Sequence, residues 1–185
     1  SSQEGKTTLS LNLGIIFTQT NERVLILEGD MRKPRIAECF GINDKEGLSS
    51  YLTGTSSLDN AIKETPIPNL FLLPSGHSPP NPTELLISTK TRTLLEELKL
   101  RYDRVIIDSP PVLTVTDTVI LANMVDGVID IIRAGYLNIE LILRARQRLY
   151  EAKARIIGVV LNNVNVKRED AYYYYHYYYG EKQET

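Results

Sequence analysis

The sequence predicts an α/β fold, a mainly parallel central sheet with helices on both faces. Three observations carry that prediction. Short all-apolar runs recur at Val24 to Leu27, Leu70 to Leu73, Val105 to Ile107 and Ile156 to Leu161, and such runs suit strands buried on both sides, as parallel strands are. Stretches with helical patterning alternate with them in the order of βα units. Gly5-Lys6-Thr7 opens the first of these helices and matches the closing half of the phosphate-binding pattern G-x-x-x-x-G-K-[ST], so the fold expected is a P-loop nucleotide-binding one.

In such a loop, backbone N–H groups and a helix N-terminus face the β-phosphate. Lys6 would reach the β- and γ-phosphates, and the Thr7 hydroxyl would ligate Mg²⁺. A phosphate loop normally follows a buried strand, and none precedes Ser1, so that strand is expected to lie outside this chain. The 185 residues, 42% hydrophobic and 24% charged, suffice for one soluble globular domain with a sizeable core. A net charge of −2 gives no general attraction to nucleic acid or acidic lipid. Cys39 is the single cysteine; it allows no internal disulfide and reads as a small buried apolar residue suited to a reducing cytosol. No run approaches the ~18 to 20 apolar residues of a membrane span, and no signal peptide is evident.

Taken in order, Lys6 to Thr20 spaces Leu9, Leu11, Leu13, Ile15, Ile16 and Phe17 as a helix packed on a sheet, ended by Asn21-Glu22. The strand Val24 to Leu27 runs into Glu28-Gly29-Asp30-Met31-Arg32-Lys33-Pro34. Acids at the C-terminal end of such a strand sit where open α/β sheets bind ligands, and on an extended backbone Glu28 and Asp30 would share one side. Two short helices follow, Leu48 to Leu52 and Leu58 to Ile62, then the strand Leu70 to Leu73. Ser78 to Pro82 is rigid and extended; a helix begins at Thr83-Glu84, and Leu94, Leu95, Leu98 and Leu100 form the apolar face of the next. His77 reads as a solvated loop residue.

Arg104 to Asp108 is an apolar strand ending in an acid, followed by Ser109-Pro110-Pro111; a carboxylate there binds Mg²⁺ directly or through water. Asp117 would cap an apolar helix, Val119 to Met124. Gly127 to Arg133 is a strand whose central Asp130 requires an edge or a partner, since an unpaired buried carboxylate is costly. Ile139 to Ala154 is a basic amphipathic helix whose Arg144, Arg146 and Arg148 form a solvated face. Residues 1–166 thus make up the phosphate-loop domain. A tail covers 167–185, in which Tyr172, Tyr173, Tyr174, Tyr175, Tyr177, Tyr178 and Tyr179 supply seven of eleven tyrosines; without Leu, Ile or Val it forms no core and reads as flexible.

Together these pieces resemble the bacterial tyrosine kinases of capsule and exopolysaccharide synthesis, a branch of the deviant P-loop ATPases. The resemblance covers nearly the whole chain. It is carried by Glu4-Gly5-Lys6-Thr7-Thr8, by Leu27 to Pro34 (a D-x-D-x-R segment in that family), by Pro79-Pro80-Asn81-Pro82-Thr83-Glu84-Leu85-Leu86, by Asp108-Ser109-Pro110-Pro111 and by the tyrosine cluster. It implies a protein-tyrosine autokinase using ATP and Mg²⁺. Glu4, Gly5, Lys6, Thr7 and Thr8 would bind nucleotide; Thr7, Asp30 and Asp108 would organise the metal. Glu28 or Asp30 would help deprotonate the acceptor, and Arg32 would offset charge near the transferred phosphoryl. The tail tyrosines would be phosphorylated in trans within a ring. Implied partners are a membrane adaptor, fused or separate, and a cognate tyrosine phosphatase, with the kinase in the cytoplasm at the inner face of the membrane.

Three departures from the family pattern stand out. The loop usually reads Pro-Gly-Glu-Gly-Lys, and here either Gln3 replaces a glycine or a Pro-Gly pair is missing. Glu28 stands where Asp is usual, and its extra methylene shifts the carboxylate by roughly an ångström, a displacement that can cost about 100-fold in rate. The upstream helix with the family's oligomerisation motif is absent, like the first strand. Two other functions share these motifs: a switch ATPase of the partition or division type, which needs no tyrosine run, and a regulatory module whose tail binds a partner.

Overall fold

A computed structural model describes residues 3–43 and 45–165; the tyrosine cluster lies outside the described residues. Helix α1 (Lys6–Thr18) leads into β1 (Val24–Glu28), every residue of which is buried. The chain then forms α2 (Ile36–Cys39), α3 (Leu48–Thr53), α4 (Leu58–Ala61), β2 (Lys63–Glu64) and β3 (Leu70–Leu73). It continues with α5 (Pro82–Ile87), α6 (Thr89–Arg101), β4 (Arg104–Asp108) and α7 (Asp117–Ala122), and closes with β5 (Val128–Arg133), α8 (Ile139–Glu151) and β6 (Ile156–Asn162).

Strand β1 lies between β3 and β4, parallel to both, and the two-residue β2 adds an antiparallel edge to β3. The alternation of β1 divides the core. Val24 and Ile26 pack with Ile36, Ala37, Leu70 and Leu72 and with Leu11, Ile15 and Phe17 of α1. Leu25 and Leu27 pack the other way, with Leu48, Leu52, Leu73, Leu94, Leu98 and Leu121. A three-layer sandwich results, as expected for strands apolar on both faces. Gly14 allows α1 to close on the sheet: a Cβ there would come within 2.9 Å of Ile26 Cδ1.

Several expectations need correction. The helix expected from Thr83 starts one residue earlier, with Pro82 in the first turn, where its missing N–H costs nothing. Leu100 is 89% exposed and leaves the apolar face of α6 to Tyr102, whose ring meets Phe71 at 5.2 Å. Cys39 is exposed rather than buried. Arg148 is not merely solvated, since its Nη1 donates to the carbonyls of Val112 and Leu113, each at 3.2 Å.

The parallel architecture is also divided. β5 and β6 pair in parallel with each other as a separate two-stranded sheet. Between β4 and β5 lies a cleft of about 560 Å³, lined by Leu13, Ile106, Val128, Ile131, Ile142 and Leu149 among others. Gln3 and Glu4 are bonded to the ends of β5 and β6, and Thr7 to the end of β4.

Candidate active site

The phosphate-loop segment is set by one backbone choice. Gly5 takes φ 90°, ψ 19°, the left-handed region that a side chain disfavours, and turns the chain directly into α1. The 13-residue helix therefore begins at Lys6 with its N–H groups facing the loop, an arrangement suited to anions. A Cβ on Gly5 would also collide with Asn162 Nδ2. That amide donates to the carbonyl of Glu4 at 2.9 Å, and Arg133 Nη1 donates to the carbonyl of Gln3 at 3.4 Å. Arg133 and Asn162 are register partners at the ends of β5 and β6, so the second sheet straps the loop in place.

Lys6 Nζ lies 3.5 Å from Glu4 Oε2, and Glu4 is buried to 4% exposure. Thr7 donates from Oγ1 to Asp108 Oδ2 at 2.8 Å, and Ser10, one turn further along α1, donates to Asp108 Oδ1 at 3.1 Å. Thr8 is exposed. Burial raises the Asp108 pKa above the ordinary aspartate range; the Thr7 and Ser10 hydrogen bonds and the Lys6 charge pull it back, and the Asp30 charge pushes it up again. Asp30 and Asp108 therefore act on one another across the end of the sheet. Asp30 sits in a turn, with Oδ1 accepting the N–H groups of Arg32 and Lys33 at 3.1 and 3.0 Å.

Glu28 does something else. In register it neighbours Asp108, yet it is fully buried. Its Oε1 accepts the N–H groups of Arg35 and Ile36 at 2.5 and 2.6 Å, and its Oε2 accepts that of Ser75 at 3.2 Å. All of these bonds run to backbone N–H groups, so in this structure the Glu28 carboxylate stands as a clamp on the chain around it. Strand β1 stops at Glu28, and the alternation that would have paired it with Asp30 stops with it. The longer acid lets its carboxylate cap α2 and tie that helix to the end of β3.

Asp117 is likewise not a simple cap. It is 1% exposed, and its oxygens accept Arg32 Nε at 3.0 Å and the Thr83 hydroxyl at 2.6 Å. Arg32 is thus joined to Asp117 and Thr83, with Nη2 3.2 Å from Thr83 Oγ1. Asp130 takes the edge position that the sequence allowed, in the two-stranded sheet; burial and the Glu4 charge raise its pKa, while a backbone hydrogen bond at Ile131 and the Lys6 charge lower it. Ser10, Asn162, Arg133, Asp117 and Thr83 were not singled out for these contacts by sequence. Of them, only Ser10 had a usable sign, its helical spacing from Thr7.

Among the described residues no three His, Cys, Asp or Glu side chains cluster as a ready-made metal centre. The donors at hand are the Thr7 hydroxyl, the Asp108 carboxylate and nearby Asp30, a small all-oxygen set. It fits Mg²⁺, which keeps several waters and takes one or two carboxylates alongside substrate phosphates. The Gly5 turn and the N-terminus of α1 fit the phosphates themselves.

Comparison with known proteins agrees with this chemistry. The AAA domain family matches residues 4–156. The chain is 37% identical to the putative tyrosine-protein kinase CapB of Staphylococcus aureus, over 92% of this chain and 75% of CapB. It is 37% identical to the tyrosine-protein kinase wzc of Salmonella typhi over 89% of this chain but only 23% of wzc, so there the matching region is part of a much longer protein. The crystal structure of the chimerical protein CapA2B2 superposes with a TM-score of 0.86 at 35% identity, covering 89% of this chain and 73% of that one. The division-site protein MinD of Pyrococcus horikoshii, complexed with Mg-ADP, gives 0.75 at 23% identity over 92% of this chain and 70% of that one, a likeness of fold.

Proposed function

The chain belongs to the bacterial tyrosine kinases and carries an AAA domain, and from that premise we propose that it is an autokinase of capsule or exopolysaccharide synthesis, moving the γ-phosphoryl of ATP to the tyrosines Tyr172 to Tyr175 and Tyr177 to Tyr179. The observation that supports it best is the 2.8 Å bond from Thr7 to Asp108, which brings the loop helix and the acidic strand end to one point.

The residues divide the work. Lys6, the Gly5 turn and the first turn of α1, which includes Thr8, hold the phosphates, and Glu4 orients Lys6 through their ion pair. Thr7, Asp108 and Asp30 hold Mg²⁺, which when bound supplies positive charge to the phosphate oxygens. A tyrosine phenol has a pKa near 10 and arrives neutral, so transfer needs an acceptor for its proton. Asp30, half-buried in its turn, is the carboxylate suited to that role. Arg32 offsets charge on the moving phosphoryl. The described residues end at Asn165, just past Asn162, whose side chain holds the loop.

No helix among the described residues is long and apolar enough to cross a membrane. In this reading the domain works in the cytoplasm at the inner face of the membrane, recruited by an adaptor, with a neighbouring copy in a ring receiving the tail and a tyrosine phosphatase resetting it. Each phosphate adds about −1.5 to −2 charges, which drives a modified tail out of its neighbour's site.

Intact-mass and peptide mass spectrometry after incubation with ATP and Mg²⁺ tests this, with Lys6→Ala as control and the adaptor's cytosolic segment present. The expected result is phosphate on the cluster in the native sequence and none in the variant. An unmodified cluster beside tight, Mg²⁺-dependent nucleotide binding would overturn it in favour of a switch ATPase.

A further inference from the structure

We propose that Asp117 and Thr83 are positioning residues that hold the Arg32 guanidinium as a fixed cation beside the phosphoryl site. The role of Arg32 toward the phosphoryl rests on the kinase reading above; the anchoring rests on geometry. A carboxylate 1% exposed must have its oxygens satisfied, and both Asp117 oxygens are taken, one by Arg32 Nε and one by the Thr83 hydroxyl. Thr83 in turn accepts from Arg32 Nη2, which closes a ring of three hydrogen bonds. Donation runs from Arg32 to Thr83 to Asp117, the head-to-tail order in which such bonds reinforce one another.

The three residues come from the segments that follow β1, β3 and β4, so the ring joins one loop to the first turns of two helices, α5 and α7. It also gives the Pro79 to Leu86 segment a part, through the Thr83 hydroxyl. Pro82 fixes the first turn of α5 and with it the place of Thr83. Asn81, the residue before that helix, makes no side-chain cap. A second stitch lies alongside, where Ser78 Oγ donates to the carbonyl of Met31 at 3.2 Å. Asp117 likewise forgoes capping, although α7 starts without any side-chain cap from Thr116.

An arginine on a loop ordinarily samples many rotamers. With Nε and Nη2 committed, the Arg32 guanidinium has one orientation, and Nη1 is the nitrogen left for a phosphoryl oxygen. The side chain is still 41% exposed, so a ligand can reach it. Charge fixed before the reaction is worth more than charge that must be gathered during it.

The test joins a spectroscopic reading to a kinetic cycle on the full chain. The Arg32 Nε–H resonance, identified by its loss in Arg32→Lys, should exchange with water at least ~10-fold more slowly than those of exposed arginines, and Asp117→Asn or Thr83→Val should remove most of that protection. In autophosphorylation, Asp117→Asn should lower kcat about 10- to 100-fold with the KM for ATP within about twofold, as a displacement near 1 Å would. Thr83→Ser, which keeps the hydroxyl, should restore both readings lost in Thr83→Val. The double variant Arg32→Ala/Asp117→Asn should be no slower than Arg32→Ala alone. Independent, multiplying losses in that double variant, or Nε–H protection that survives Asp117→Asn, would overturn the proposal. A native chain that binds nucleotide but transfers no phosphate would sink the kinase reading and the phosphoryl role with it, while the exchange data would still report on the anchor.

Discussion

β1 and β6 are both written in apolar residues, and the structure treats them differently. All five residues of β1 are buried, whereas Ile157, Val159 and Leu161 of β6 are 60%, 59% and 58% exposed. An apolar run therefore announces a strand without announcing what covers it. The division matches a division of labour at the site. The covered half supplies the rigid acids, Glu28 and Asp108, and the more open half supplies Arg133 and Asn162, which strap the loop from outside.

The largest effect that can break this comparison lies at Glu28. Glu28→Ala strands three N–H groups, two of them buried and one part-buried, and should cost about 3–5 kcal/mol in denaturant unfolding, and Glu28→Gln, which keeps one accepting oxygen, about 1–3. A loss seen only in activity, with stability unchanged, would return Glu28 to the chemistry. The next effect crosses the two halves. Gly5→Ala forces a Cβ against Asn162 at positive φ and should lower nucleotide affinity at least ~10-fold, with a stability cost of about 1–3 kcal/mol. Isothermal titration with Mg-ADP reads the first figure, and thermal unfolding the second.

A smaller effect tests the open half. The Asp130 pKa is raised by burial and by Glu4, so the folded state holds the proton more tightly than the unfolded one. Its ionised form therefore costs stability at neutral pH. That cost is recovered as pH falls through the raised value toward the ordinary aspartate pKa of about 3.9. Asp130→Asn should raise Tm at pH 7 by about 1–3 °C, with the gain shrinking toward pH 4. Melting curves across that range check the sign. The smallest expected change is Val159→Thr, within about 0.5 kcal/mol, against about 2–5 kcal/mol for Leu27→Ala on the covered half. Equal losses at the two positions would erase the distinction.

Much of the fold was legible because it is local. Leu70 to Leu73 and Arg104 to Asp108 are strands with the bounds their apolar runs suggest, and Lys6 begins its helix where Gly-Lys-Thr required. The place of Asp108 was legible for the same reason, at the end of such a run. What escaped depends on residues far apart. Asp117 finds its partners 34 and 85 residues away, and the hydroxyl that satisfies it sits in a segment with no chemistry of its own to notice. The clamp made by Glu28 escaped in the same way, since one of its N–H partners lies 47 residues away. The separation of β5 and β6 from β4 could not be read at all, since apolar periodicity does not say which strands are neighbours.

The enclosure of Glu28 also carries a consequence in time. Its carboxylate is satisfied only when the N–H groups of residues 35, 36 and 75 have all arrived, the last from 47 residues away. Until then the charge must keep its water, because a bare buried carboxylate is prohibitive. The end of β1 is therefore expected to close late in folding, once β3 has brought Ser75 alongside. Substitutions at Glu28 should then leave the refolding rate nearly unchanged and speed unfolding instead, making this one side chain a brake on opening.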